Sequence, residues 1–175
     1  MKITTAAALM LLMQACWLPL AQAEETGPEA PCSTPAYYQF DFWLGRWTSY
    51  SKAGEKQGTN HLHRILGTCA IQENWTGKGG AYQGTSYNFY DKVTDRWYQT
   101  WVDNGGGHLF LAGGMVNGSM QLSGERMTHD GKNMIDRITW TPLEDGRVRQ
   151  HWEVSSDGGD SWRDLFDGYY QQDVE

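Results

Sequence analysis

Glu73 sits in the run "CAIQENW", Cys69–Trp75, where Cys69, Ile71 and Trp75 recur at every second position. Period two is the signature of a strand with one buried face, and it places Glu73 in phase with those three residues. A carboxylate held among indole and aliphatic groups loses hydration, which disfavours the ion and raises the pKa. A carboxyl group tuned in that way can serve as a general acid or base. Arg137, in another alternating segment, is the candidate for stabilising an anion formed in such a reaction. The plainer alternative is an ion pair between Glu73 and an interior arginine such as Arg137 or Arg149, which would only brace the fold.

Two glutamines repeat one arrangement. Gln99 and Trp101 share a face of "RWYQTWVD", and Gln150 and Trp152 share a face of "RVRQHWEV". Asn88 and Ser86 alternate with Tyr90 in the same way. An amide beside an indole suits a ligand with an apolar body and a few polar groups. Trp101, Trp152, Gln99, Gln150, Glu73 and Asn88 are therefore the candidate ligand-binding residues. The alternative is an interior filled by its own side chains. His61-x-His63 puts two imidazoles on one face, a spacing that can serve zinc or copper. A third ligand would require Glu73 to share that face. Leu62 between them is the more natural inward residue, which sends both histidines out. No metal and no cofactor are expected.

These side chains need strands to hold them. Asn104-Gly105, Asn117-Gly118, Asp130-Gly131, Asp145-Gly146 and Asp157-Gly158 fall 12 to 15 residues apart. Such dipeptides supply the positive φ angles of tight hairpin turns. The segments between them predict about ten strands, near 45–52, 58–66, 68–76, 80–91, 96–104, 107–116, 119–128, 133–142, 147–156 and 160–171. No segment of helical period competes with them. Ten consecutive hairpin-linked strands form an antiparallel meander, and closure into a barrel removes its exposed edges. The expected fold is thus all-β, a single meander barrel over residues 37–172. Asp41, Asp103 and Asp167 read as structural hydrogen-bond acceptors, and Asp167-Gly168 as a bulge or bend in the last strand.

The segment "SSDGGDSW", Ser155–Trp162, fits the S-x-D-x-G-x-x-W pattern of the Asp-box and resembles the repeat of sialidase-type propellers. It occurs once, whereas a propeller needs several copies, so it is read as a turn whose backbone Ser155 and Asp157 hold. "FDFWLGRW" at 40–47 carries the G-x-W start that resembles lipocalin-like (calycin) barrels. Taken with "GTCAIQENW", "YDKVTDRWYQTWVD", "GRVRQHWEVSSDGGDSW" and "FDGYY", the chain resembles an uncharacterised family of secreted bacterial proteins. That resemblance implies a lipocalin-like barrel and export, and it carries over no catalytic residues. Nitrobindin-like barrels, which hold haem through a histidine near the chain end, are also similar in strand number. Here the last strand has no histidine, and His151 is the nearest candidate.

Residues 1–23 read as a removed secretory signal: Lys2, an apolar run from Ala6 to Trp17, and Ala21-Gln22-Ala23 as the cleavage site. The run is too short for a hydrocarbon core of about 30 Å, so stable membrane insertion is not expected. "MQAC" ending at Cys16 is a poor lipidation site. Residues 24–36 form an irregular leader holding three of the five prolines. The export reading makes a Cys32–Cys69 disulfide the simplest use of the remaining cysteine pair. It would close a loop of about 38 residues, worth roughly 4 kcal/mol in the chain-entropy model. No C-x-x-C spacing points to a metal or redox thiol instead. The formal net charge of −7 lacks the basic footprint that nucleic acid requires. The expected function is a periplasmic or secreted barrel that binds a small, partly apolar molecule. The alternatives are an isomerase- or lyase-type enzyme using Glu73 in the same cavity, and a structural envelope protein with a filled barrel. Oligomeric state is not legible.

Overall fold

The computed structural model describes residues 30–173. The expected signal segment lies outside the described residues, as does the first part of the leader. Ten strands follow one another: β1 Gly45–Ser51, β2 Lys56–Ile65, β3 Ala70–Gly77, β4 Gln83–Asp91, β5 Arg96–Asp103, β6 His108–Val116, β7 Ser119–Met127, β8 Asn133–Pro142, β9 Val148–Ser155 and β10 Arg163–Gln172. Each pairs antiparallel with the next, and β1 pairs with β10, so the meander closes into a barrel. The expected fold class is the observed one. Among the described residues no helix is long and apolar enough to cross a membrane.

Alternation sets the two faces. Leu62, Ile71, Leu111, Leu122 and Ile138 point inward and are buried, while their chain neighbours lie on the outer face. At Asn117-Gly118 both residues have positive φ, 49° and 82°, the geometry of a two-residue hairpin turn that matches strand twist. In "DNGGG" the positive φ falls on Gly106 rather than Gly105. The irregularity in β10 lies between Asp164 and Phe166, not at Asp167-Gly168. Gly168 is instead a close approach: a Cβ there would collide with the Tyr50 carbonyl oxygen. β10 also starts three residues later than expected. Asp157 accepts from Ser161 N–H at 2.9 Å and from Ser161 Oγ–H, which keeps those residues in the turn.

An aromatic plug closes the lower end, where the chain enters β1. Phe40, fully buried, stacks on Trp43 with ring centroids 5.1 Å apart, and meets Trp97 and Trp140 at steeper angles at 5.7 and 5.3 Å. Trp47 donates Nε1–H to the Trp43 carbonyl at 3.0 Å. Burying a side chain of this kind contributes about 2–3 kcal/mol, so the plug is a main part of the core. The Cys32–Cys69 disulfide forms and ties the segment before the plug to the β2–β3 connection. Arg64 adds bonds to the carbonyls of Thr68 and Tyr37 and an ion pair with Asp41. Asp41 is thus an acceptor that anchors the plug.

Candidate functional site

Ten strands enclose a wider lumen than the eight that side chains alone readily fill. Above the plug a cavity of about 290 Å³ remains. Its walls include Trp75, Trp101, Trp152 and Phe166, its floor Trp140 and Tyr170, and its mouth Tyr82, Asp103 and His108. Small residues let the indoles lie along the wall instead of crossing the lumen. A Cβ on Gly84 would collide with the Trp101 ring. One on Gly77 would stand 2.9 Å from the Trp75 ring, and one on Gly58 3.0 Å from it.

Five of the six expected binding residues, Trp101, Trp152, Gln99, Gln150 and Glu73, line this cavity. Asn88 does not. It is fully buried behind Gln99 and connects residues that do face the space. Gln99 donates Nε2–H to Asn88 Oδ1 at 2.8 Å, and Asn88 donates Nδ2–H to Ser86 Oγ at 2.9 Å. Ser86 Oγ–H then donates to Glu73 Oε2 at 2.6 Å, and Asn60 Nδ2–H donates to Glu73 Oε1 at 2.7 Å. β2 and β4 thus direct donors onto a β3 carboxyl group that is only 4% exposed, and β5 joins the chain through Gln99. Burial pushes the Glu73 pKa up to about 7 against the pull of the Ser86 and Asn60 donors. Burial also raises the Tyr170 hydroxyl, and the nearby Glu73 charge adds to the rise.

Neither arginine weighed as a partner for Glu73 meets it. Arg137 pairs with Glu153 at 3.0 Å and lies over the Trp162 ring, 3.7 Å from its centroid. Arg149 pairs with Asp167 at 2.8 Å. Both occupy the outer face, because their neighbours Ile138, Val148 and Gln150 take the inner one. Arg137 therefore has no place in cavity chemistry. The cavity's own guanidinium is Arg126, bonded through Nε to Asp136 Oδ2 at 2.6 Å. Asp136 is fully buried and also accepts Trp152 Nε1–H at 2.8 Å. At the mouth Asp103 accepts from Tyr82 Oη at 2.8 Å, Trp101 Nε1 at 3.1 Å, and the amides of Gly105 and Gly107. Burial pushes Asp103 up, but these donors outweigh it and leave the carboxyl below its ordinary range. Burial and Asp103 push Tyr82 up to about 12. Ser49 Oγ and Trp140 Nε1, both buried on the cavity wall, have no hydrogen-bond partner among the described residues.

Arg126, Asp136, Ser49, Trp75 and Trp140 were missed as site residues. Period two could have found them: Arg126 is in phase with Met120 and Leu122, and Asp136 with Ile138 and Trp140. His61 and His63 stack on the outer face, 5.0 Å apart, opposite Asn74 and Gln72 of β3. Glu73 pairs with Leu62 and points inward, so it cannot complete a metal site with them. His151 also lies outside the lumen, with Nε2 2.8 Å from Asp164 and Nδ1 3.7 Å from Glu153. These three residues have ligand atoms close enough to share a cation. However, the two ring nitrogens face different carboxylates, and Arg137 already holds Glu153. In the "SSDGGDSW" turn, Ser155 Oγ accepts Gly159 N–H at 2.9 Å and Trp162 Nε1 donates to the Gly159 carbonyl at 3.0 Å. Its polar groups are occupied with the turn itself. No family model and no curated protein matches the chain.

Proposed function

We propose that the barrel binds a small, partly apolar molecule in its lumen. The supporting observation is the cavity itself: about 290 Å³, walled by four tryptophans, with Gln99, Gln150 and Glu73 opening into it. Indole faces supply apolar area, and the amides and carboxyl fix orientation. Gln150 makes no side-chain hydrogen bond among the described residues, which leaves its amide for a ligand. The volume suits a compound of roughly ten to fifteen heavy atoms. A cavity of this size counts against a filled structural barrel. The disulfide and the signal-like apolar segment expected at 1–23 support a periplasmic or secreted setting.

A second reading, an isomerase- or lyase-type enzyme, is favoured by one observation. Glu73 is buried at the cavity and titrates near neutrality, where a carboxyl group can both give and take a proton. Arg126, not Arg137, is the cation such a reaction would have at hand. Native mass spectrometry of the protein purified from the periplasm of its own cells tests the proposal. A co-purified small molecule lost on Trp101→Ala and Trp152→Ala is the expected result. A protein that is bare, and that also fails to take up a neutral apolar fluorophore, would count against binding. Chemical conversion of the captured molecule, abolished in Glu73→Gln while the fluorophore still binds, would favour the enzyme.

A further inference from the structure

Lumenal carboxylates outnumber lumenal cations. Glu73 and Asp103 line the cavity with a single guanidinium, Arg126, and one imidazole at the mouth, His108. Arg126 is neutralised by Asp136. Glu73 has no Lys, Arg or His within ion-pair distance among the described residues; its two oxygens meet only Ser86 and Asn60.

Hydrogen-bond polarity runs the same way. Gln99 gives its Nε2–H to Asn88, so the end it keeps for the cavity is the acceptor Oε1. Each step from Asn88 through Ser86 passes a donor toward Glu73, the arrangement that stabilises the carboxylate form. The Trp101 and Trp152 N–H groups are spent on Asp103 and Asp136, leaving their ring faces to the ligand. Ser49, 1% exposed and on the cavity wall, adds an Oγ without a partner among the described residues. Acceptors and π faces without a matching cation are the complement of an ammonium group. The acidic chain as a whole, at −7, draws the same sign of ligand toward the mouth.

We infer that the cavity takes a primary or secondary ammonium carried on an apolar frame, with the ammonium directed at Glu73 and the Gln99 oxygen and the frame against Trp75, Trp101 and Trp152. This rests on the lumenal-binding reading above and names its ligand class. The free terminal nitrogens of Arg126, the unpartnered Trp140 Nε1–H and the Gln150 amide N–H groups are the competing features, since they would favour an anionic or acceptor ligand.

Three near-isosteres separate these cases by isothermal titration calorimetry at low salt: 2-phenylethylammonium, 2-phenylethanol and 3-phenylpropanoate. The cation is expected to bind at least tenfold tighter than the alcohol, and the propanoate weakest. In Glu73→Gln the cation should lose its advantage over the alcohol. Equal affinities, or a preference for the propanoate, would overturn the ammonium assignment while leaving lumenal binding intact. If none of the three binds, the lumenal-binding reading fails with it. The comparison among probes is made on the wild-type protein, so it stands whether or not the variant folds.

Discussion

Replacing Glu73 by Gln should make the protein more stable at alkaline pH and hardly change it at acid pH. The carboxyl pKa rises from an ordinary 4.5 to about 7 in the folded chain, chiefly through burial. Between those values the folded protein binds a proton that the unfolded chain has released, so stability falls as pH rises through the window. Below 4.5 the group is neutral in both states and the cost is absent. Above 7 it is ionised in both, and the folded state carries the full desolvation cost, roughly 3 kcal/mol. Gln is isosteric with the neutral acid. Its oxygen can accept from Ser86. Its NH₂ can donate to Asn60 Oδ1, which has no partner among the described residues, once the Asn60 amide turns over. Urea unfolding followed by tryptophan fluorescence, from about pH 4.5 to about pH 8.5, reads the effect directly. The difference between wild type and variant isolates Glu73 from groups of opposite slope. Asp157, held low by Ser155 and Ser161, and Asp167, held low chiefly by Arg149, are common to both proteins. The variant should gain about 2–3 kcal/mol on wild type across the range. Parallel pH profiles for the two proteins would refute the claim that Glu73 is buried without a counter-ion.

Replacing both Cys32 and Cys69 by Ala opens a cross-link spanning 37 positions, and urea unfolding should show a loss of about 4 kcal/mol. Wild type in reductant should approach the same midpoint. Gly84→Val should drive the Trp101 ring off the wall and into the cavity. Binding of a neutral apolar fluorophore should weaken at least tenfold while the far-ultraviolet circular dichroism keeps its strand signature. Arg137→Ala removes an outer-face contact with Glu153 and Trp162. It should cost about 1 kcal/mol of stability by urea titration and leave fluorophore affinity unchanged; a binding defect would show that the cavity reaches further than its lining residues indicate.

The strands, their order and the grouping of residues by face were legible because the period-two pattern and the Asn-Gly and Asp-Gly turns are local signals. A residue's phase relative to Ile71, Trp101 or Trp152 is set within its own strand, so Glu73, Gln99 and Gln150 could be grouped with those residues from the chain alone, while closure of the barrel decided which face turned inward. The cysteine pair was legible for a similar reason: only two candidates remained once the expected signal segment, 1–23, was set aside. What a side chain meets across the barrel is a different kind of fact. Arg137 looked like a partner for Glu73, yet register set it opposite Glu153 on the outer face, while Arg126, four hairpin turns from β3, entered the lumen side paired with Asp136. Whether the lumen stayed open was likewise a three-dimensional matter. It depended on Gly58, Gly77 and Gly84 standing where Trp75 and Trp101 could lie flat against the wall. Alternation is written residue by residue along a strand, but pairing, charge balance and empty volume exist only after ten strands have closed on one another.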